Sequence, residues 1–244
     1  MLRKTALRRS VVLALSAGAL VLGIGISFNP GSATLAQDPA PACNDQAPQL
    51  FLIRGNFSNP DRHPEELRAS RRELHQKAIR YRTEQYGYFA PFGNAAWNEN
   101  SPRHFAASAE FMGLSVRLHR RIIPAVSCAE AEIRRACTDH PYEPERLSGI
   151  RTENSYHNGE VSNHVYGIAI DIDPMRNTCC GCVAKWRAHP LCKRQVSSIY
   201  ERMAMPECWV HAFERYGFYW LGHDDLRDTM HFEFLGDPDR IVQR

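Results

Sequence analysis

The chain opens with a short basic head, followed by an apolar run over residues 11–26 and then a stretch of small residues. This order is typical of a secretory signal peptide, which predicts that residues 1–36 are removed on export. The alternative is an uncleaved membrane anchor, because about twenty apolar residues span a bilayer and this run is only slightly shorter. Either interpretation places the rest of the chain in the periplasm, in the cell envelope or outside the cell.

Residues 37–104 are predicted to form a linker and a helical extension. Pro, Asn, Asp and Gln are frequent up to about residue 60, apart from an apolar patch at residues 50–53, which is typical of a connecting arm. Residues 64–85 are strongly charged and form the predicted helix. Their apolar positions follow the spacing of one helix face: Leu67, Leu74, Ala78 and Tyr81.

A second helix is predicted over residues 104–121, where apolar residues recur at steps of four and three. This apolar stripe consists of Phe105, Ala109, Met112 and Val116. Ser127 is expected to cap a third helix that reaches Cys137.

From about residue 146, short apolar runs alternate with turn residues. The pattern predicts strands over residues 147–151, 165–173, 217–221 and 230–235, and helices over residues 195–205 and 207–216. Short strands mixed with helices, without a regular βαβ alternation, indicate an α+β domain over residues 105–244. We therefore expect a small antiparallel sheet flanked by helices.

The charge balance changes when the leader is set aside. The formal net charge is +3, but residues 1–36 carry four of the basic residues and none of the acidic ones, which leaves about −1. No strong positive field remains to attract nucleic acid or an acidic membrane surface. Membrane contact is therefore expected only through an uncleaved leader, and the sequence does not indicate an oligomeric state.

Eight cysteines follow the leader, an even number that favours disulfides in an exported protein. Four bridges can pair in about a hundred ways, and the sequence does not choose among them. The cluster at residues 179–192 is alternatively a structural zinc site, although such sites have two cleanly spaced cysteine pairs. We expect disulfides, with residues 177–192 forming a stapled insertion over or beside the functional site.

Residues 162–173 contain the first candidate metal ligands. Side chains alternate faces in a strand, so the isoleucines at 168, 170 and 172 are expected to face the core and Asp171 the opposite side. Gly167 permits a turn before this strand, which would bring His164 back beside Asp171. An imidazole and a carboxylate that meet in this way suit part of a zinc shell. The alternative is a hydrogen-bonded buried aspartate and an unrelated surface histidine.

Residues 230–234 alternate in the same way, which places His231 and Glu233 on one polar face. Two histidines and one carboxylate, with a fourth position open to water, form a recurrent catalytic zinc site. Asp228 precedes His231 by three residues and would lie close enough to act as a general base on water. Two other aspartates precede it in the same segment, so an acidic surface turn is an alternative.

Two motifs together resemble the D-alanyl-D-alanine carboxypeptidase family of zinc peptidases, which includes VanX- and VanY-like enzymes and L-alanyl-D-glutamate endopeptidases. The motifs are Ser162-x-His164-x-x-Gly167-x-Ala169-x-Asp171 and Asp228-x-x-His231-Phe232-Glu233. The resemblance covers about residues 105–244. It implies a zinc peptidase domain with a Hedgehog/DD-peptidase-like fold, in which His164, Asp171 and His231 hold Zn²⁺.

The resemblance also implies roles for three further residues. Asp228 matches the catalytic carboxylate of the family, and Arg151 matches an arginine close to the scissile carbonyl, where it would stabilise an oxyanion. Ser162 matches a position that lines the substrate site. From the residues alone, the alternatives are a salt-bridged arginine at a strand end for Arg151 and a turn cap for Ser162. Asp173 is expected to be structural and not a ligand.

The function that the resemblance implies is hydrolysis of D-amino-acid-containing bonds in peptidoglycan stem peptides. The cleaved bond would be the terminal D-Ala-D-Ala bond of a carboxypeptidase or the L-Ala-D-Glu bond of an endopeptidase. One alternative is a non-catalytic zinc-containing module that binds cell-wall peptides. The other is a disulfide-rich structural envelope protein in which the candidate ligands come together by accident.

Overall fold

The computed structural model describes residues 42–156, 159–182 and 184–243, so the predicted leader lies outside the described residues. Within these ranges, no helix is both long enough and sufficiently apolar to cross a lipid bilayer. The first helix, α1, spans Glu65–Tyr86, as its charged and apolar pattern predicts. Two glutamates in its first turn face the positive end of the helix dipole, which stabilises this start.

A β-hairpin occupies the region where a helix was predicted over residues 104–121, so that prediction is wrong. Strand β1 spans Ala106–Phe111 and pairs antiparallel with β2, Leu114–His119. The two residues between them, Met112 and Gly113, have φ angles of 51° and 82°. Positive φ at both central positions is the conformation of a tight two-residue hairpin turn, and glycine adopts it without steric cost. The i, i+4 apolar spacing concealed the alternation of buried and exposed residues along β2.

Two helices, at residues 123–136 and 207–215, pack against each other. Helix α2 spans Ile123–Ala136 and begins before the predicted Ser127 because a proline occupies its first turn, where no backbone N–H is needed. A later helix spans Glu207–Arg215 and agrees with the predicted range of 207–216. The helix predicted over residues 195–205 is reduced to a 3₁₀ turn at Ile199–Arg202.

The second sheet has four antiparallel strands in the spatial order β3-β4-β6-β5. Their ranges are Leu147–Ser148 for β3, Ala169–Ile172 for β4, Phe218–Trp220 for β5 and His231–Phe234 for β6. Phe213 of the helix at 207–215 contacts the sheet, with ring centroids 4.9 Å from Phe218 and 4.3 Å from Phe232. The sheet is therefore anchored to the helical layer by an aromatic core, and the predicted α+β class is confirmed.

All eight cysteines lie within disulfide distance of a partner. The pairs are Cys43–Cys128, Cys137–Cys208, Cys179–Cys182 and Cys180–Cys192. The first pair ties the N-terminal segment, residues 42–64, to α2, and the second joins the ends of the two packed helices. The last two pairs staple the insertion at 177–192. The helix α3, Ala184–Arg187, lies within this insertion, and α4, Pro190–Lys193, begins in it. In chain order, the helix at 207–215 is α5.

Candidate metal centre and cleft

The pairing of two buried strands brings the predicted ligands together. In the register of β4 with β6, Asp171 lies directly opposite His231. A 3₁₀ turn at Asn163–Tyr166 precedes β4 and carries His164. This turn ends at Gly167, whose φ is 70° and whose position would place a Cβ 2.9 Å from the backbone nitrogen of His119. Glycine is required there, because any side chain would push the turn away from the hairpin.

Three ligand atoms converge at this point. The Nε2 of His164 lies 3.0 Å from Asp171 Oδ1, His231 Nδ1 lies 2.9 Å from the same oxygen, and the two imidazole nitrogens are 3.1 Å apart. Ligands about 2.0–2.1 Å from a tetrahedral zinc are about 3.3 Å from one another, so the separations in the structure fit such a shell closely. All three side chains are buried. The donor set and its spacing therefore fit a metal ion.

Hydrogen bonds behind the ligands fix the orientation of both imidazoles. His164 Nδ1 lies 2.6 Å from the carbonyl oxygen of Gly149, which leaves Nε2 to face Asp171. His231 Nε2 lies 3.4 Å from Glu233 Oε2, and that oxygen accepts a 2.6 Å hydrogen bond from Asn163 Nδ2. Such partners orient metal-binding histidines and select their tautomer. Glu233 and Asn163 are supporting residues that the sequence analysis did not identify as such.

The electrostatics around Asp171 and His231 favour a positive charge, whereas burial lowers the pKa of His164. Burial alone would raise the pKa of Asp171, but the adjacent imidazoles of His164 and His231 hold it well below its ordinary value. Burial alone would lower the pKa of His231, but its contacts with Asp171 and Glu233 raise it to about 10. Two carboxylates next to buried imidazoles therefore form an environment that stabilises a cation.

Asp228 lies at the edge of the same cleft but is not one of the three converging ligands. It ends the turn after β5, where its N–H donates to the carbonyl of Leu221 at 3.1 Å. Its side chain is buried, and Oδ1 has no hydrogen-bond partner among the described residues. Burial, with a further contribution from the charge of Asp171, raises the pKa of Asp228 to about 7. A carboxyl group with such a pKa and a free oxygen is suited to accept and return a proton near neutral pH.

Arg151 and Ser162 both line the cleft. The guanidinium of Arg151 donates to Asp171 Oδ2, its side chain is 37 % exposed, and its backbone N–H donates to the His164 carbonyl at 2.9 Å. Ser162 caps the turn that carries His164, because its hydroxyl accepts the N–H of His164 at 3.3 Å. The salt bridge and the turn cap considered from the sequence are both present, at positions that also face the cleft.

Asp173 belongs to the support of the sheet and not to the metal cluster. Its carboxylate accepts hydrogen bonds from the hydroxyl of Tyr142 at 2.6 Å and from the N–H groups of Glu145 and Arg146 at 2.8 and 2.7 Å. These contacts satisfy its oxygens and hold the segment that leads into β3.

The cleft has a volume of about 740 Å³, and the three ligands form part of its lining. One wall comes from the stapled insertion, through Trp186 and the Cys179–Cys182 disulfide. Another wall comes from the loop before the turn that carries His164, through Ser155 and Tyr156. Cys179, Cys182 and Asp228 also lie close enough together to suggest a second metal site, but the two sulfurs are bonded to each other. Bonded sulfurs offer no thiolate ligands, so these three residues do not form a second metal site.

Comparison with known families agrees with this geometry. Residues 155–234, about a third of the chain, match the family model described as D-alanyl-D-alanine carboxypeptidase. The matched range contains His164, Asp171, Asp228 and His231, and the resemblance noted in the sequence is confirmed there. It associates this part of the chain with a family of peptidases. No curated protein and no solved structure matches the chain.

Proposed function

We propose that the protein is an exported zinc-dependent peptidase that cleaves D-amino-acid-containing bonds in peptidoglycan stem peptides. The observation that carries this proposal is the convergence of two imidazoles and a carboxylate in a cleft that also contains Asp228. The peptidase family match over residues 155–234 supports the reaction class and the substrate class.

In the proposed peptide hydrolysis, different residues of this chain bind the metal, transfer a proton and stabilise negative charge. His164, Asp171 and His231 would hold the zinc ion, which when bound would acidify a water molecule and polarise a peptide carbonyl. The Asp228 carboxylate takes a proton from the attacking water and returns it to the leaving amine. Arg151 directs its guanidinium to the edge of the ligand cluster, where it stabilises negative charge that develops on the carbonyl oxygen. Ser162 fixes the turn that carries His164 and contributes to the cleft lining.

The proposed export is supported by the cysteines. Four disulfide pairs in a chain of this size are typical of an oxidising compartment outside the cytoplasm. Export would place the protein beside peptidoglycan.

Mass spectrometry of a digest tests the function. Purified wild-type protein with one equivalent of zinc is incubated with a synthetic stem pentapeptide ending in D-Ala-D-Ala and with purified muropeptides. Loss of a terminal alanine indicates carboxypeptidase action, and cleavage between L-Ala and D-Glu indicates an endopeptidase. Binding without cleavage would favour the non-catalytic module and contradict the proposal.

Substitution of the base provides the second half of the test. Asp228→Asn is expected to reduce the rate by about 10²–10⁴-fold while zinc remains bound, because the amide cannot accept the proton. Asp225→Asn is the matched control, since Asp225 is an exposed aspartate in the same turn. Equal activity of the Asp228 variant and the control would refute the role of Asp228.

A further inference from the structure

A buried ionic cluster joins the N-terminal segment to the two loops beside the cleft. Arg54 Nε donates to Glu160 Oε2 at 2.7 Å, and its Nη1 donates to Asp224 Oδ1 at 2.8 Å. The Arg54 side chain is only 13 % exposed, and those of Glu160 and Asp224 are 7 % and 3 % exposed. One guanidinium therefore connects segments that lie 106 and 170 residues away in the chain.

The first of these loops, called loop 154–162 for its described residues 154–156 and 159–162, contributes Ser155, Tyr156 and Ser162 to the lining of the cleft. Asn154 organises it, since its side-chain amide donates to the carbonyl of Glu160 at 2.7 Å and its oxygen accepts the N–H of Ser162 at 2.8 Å. Tyr156 lines the cleft, and the Arg54 guanidinium carbon lies 5.6 Å from the centre of its ring. Arg54 thus contacts two side chains of this loop, Glu160 and Tyr156.

The second loop, residues 221–228, carries the proposed general base. Asp224 Oδ1 accepts the N–H of Leu226 at 3.0 Å as well as the guanidinium of Arg54, and the Asp224 carbonyl accepts the N–H of Arg227 at 2.9 Å. Arg227 has a φ of 49°, which reverses the chain direction immediately before Asp228. The conformation that presents Asp228 therefore depends on how Asp224 is held.

The charges of the cluster compensate one another. Two buried carboxylates offset the desolvation of one arginine, and removal of that arginine would take a buried, charged contact away from each carboxylate. Burial alone would lower the pKa of Arg54, but Asp224 and Glu160 outweigh burial and raise it. A lysine could not replace it fully, because a single ammonium lacks the planar fork that bonds two carboxylates at once.

We infer that Arg54 is a positioning residue of the active site: it clamps loops 154–162 and 221–228 against each other and thereby fixes the cleft wall and Asp228. The N-terminal segment, which lies outside the matched family range, would then be an integral part of the peptidase and not an accessory arm. The prediction for activity rests on the proposed function, but the prediction for loop order does not.

Hydrogen–deuterium exchange of the full chain with zinc tests this inference directly. In Arg54→Gln, amide exchange in loops 154–162 and 221–228 is expected to rise about tenfold or more, whereas exchange in α2 and in the β1–β2 hairpin stays at the wild-type rate. Arg215→Gln is the matched control, because Arg215 also bridges two carboxylates, Asp45 at 2.9 Å and Glu132 at 3.1 Å, and none of these three residues lines the cleft. This control is expected to leave both loops unchanged.

Kinetics on the stem pentapeptide separate positioning from a loss of folded protein. A smaller folded fraction lowers kcat and leaves KM unchanged, whereas a displaced cleft wall raises KM, here by about tenfold for Arg54→Gln. Unchanged exchange in both loops, or an equal rise throughout the protein, would overturn the inference. If Arg54→Gln does not fold, Arg54→Lys keeps the charge and is still expected to increase exchange in both loops. If wild-type protein cleaves no stem peptide, the proposed function fails and the exchange data still decide the role of Arg54.

Discussion

Glu233 offers a test of how the protein supports its metal ligands. Its Oε2 lies 3.4 Å from His231 Nε2 and accepts a hydrogen bond from Asn163, and the side chain is 5 % exposed. Glu233→Gln keeps the shape and an acceptor oxygen but removes the negative charge behind His231. Glu233→Ala removes the acceptor as well, so that His231 loses its orienting partner.

The expected loss of zinc affinity differs between the two substitutions. Loss of a residue that orients a metal-binding histidine weakens metal affinity by about 10- to 100-fold. We assign the lower value, about 1.4 kcal/mol, to Glu233→Gln, because its geometry is preserved and the 3.4 Å contact is long. Glu233→Ala is expected at the upper value, about 2.7 kcal/mol.

Competition titration with a chromophoric zinc chelator measures both affinities. Glu110→Gln, at an exposed glutamate of β1, is the control and should bind zinc as the wild type does. The hydrolysis rate at saturating zinc should change less than the affinity does. Wild-type zinc affinity in both Glu233 variants would contradict this role of Glu233 and would mean that the backbone and Asp171 alone position His231.

Two further predictions concern stability. The Cys180–Cys192 disulfide closes a loop with a sequence separation of 12. The double variant Cys180→Ser, Cys192→Ser should therefore destabilise the insertion by about 3 kcal/mol. Limited proteolysis between residues 180 and 192 should become faster, and an unchanged rate would argue against a stapled wall. Burial, together with Arg121 and Arg120, lowers the pKa of His119 to about 4. Between about pH 4 and pH 6.5, this histidine is therefore protonated in the unfolded chain and neutral in the folded protein. Stability should therefore fall as the pH decreases from about 6.5 to 4, by about 3 kcal/mol from this group, and urea unfolding of His119→Asn should show a smaller dependence over that range.

The ligand cluster was accessible from the sequence because strand alternation is a local property. Period-two patterns around residues 168–172 and 230–234 placed Asp171 and His231 on polar faces, and the structure pairs them directly across β4 and β6. The turn at Gly167 that returns His164 to this face was also foreseeable, because glycine before a strand permits a reversal.

The hairpin at residues 106–119 was not foreseen, because its apolar residues satisfied a helical spacing by coincidence. The decisive signal was local but weak: Gly113 follows Met112 at a turn that needs positive φ at both positions. Contact with the turn that carries His164 then favours strand β2, since the N–H of His119 donates to the Gly167 carbonyl at 2.8 Å.

Contacts between distant segments could not be derived from local pattern. The Arg54 cluster joins three parts of the chain, and nothing in the composition of residues 42–64 selects one arginine as the buried one. The disulfide pairing was equally inaccessible, because eight cysteines allow about a hundred arrangements and only the folded topology selects one. Glu233 had a partial signal, since it shares the alternating face of His231.

X-ray absorption at the zinc edge of the protein with one equivalent of zinc identifies the atoms that bind the metal. We expect a shell of two imidazole nitrogens with oxygen ligands and no sulfur, and loss of that spectrum in Asp171→Ala. A shell that contains sulfur, or a spectrum that Asp171→Ala does not change, would contradict the assignment of the metal to His164, Asp171 and His231.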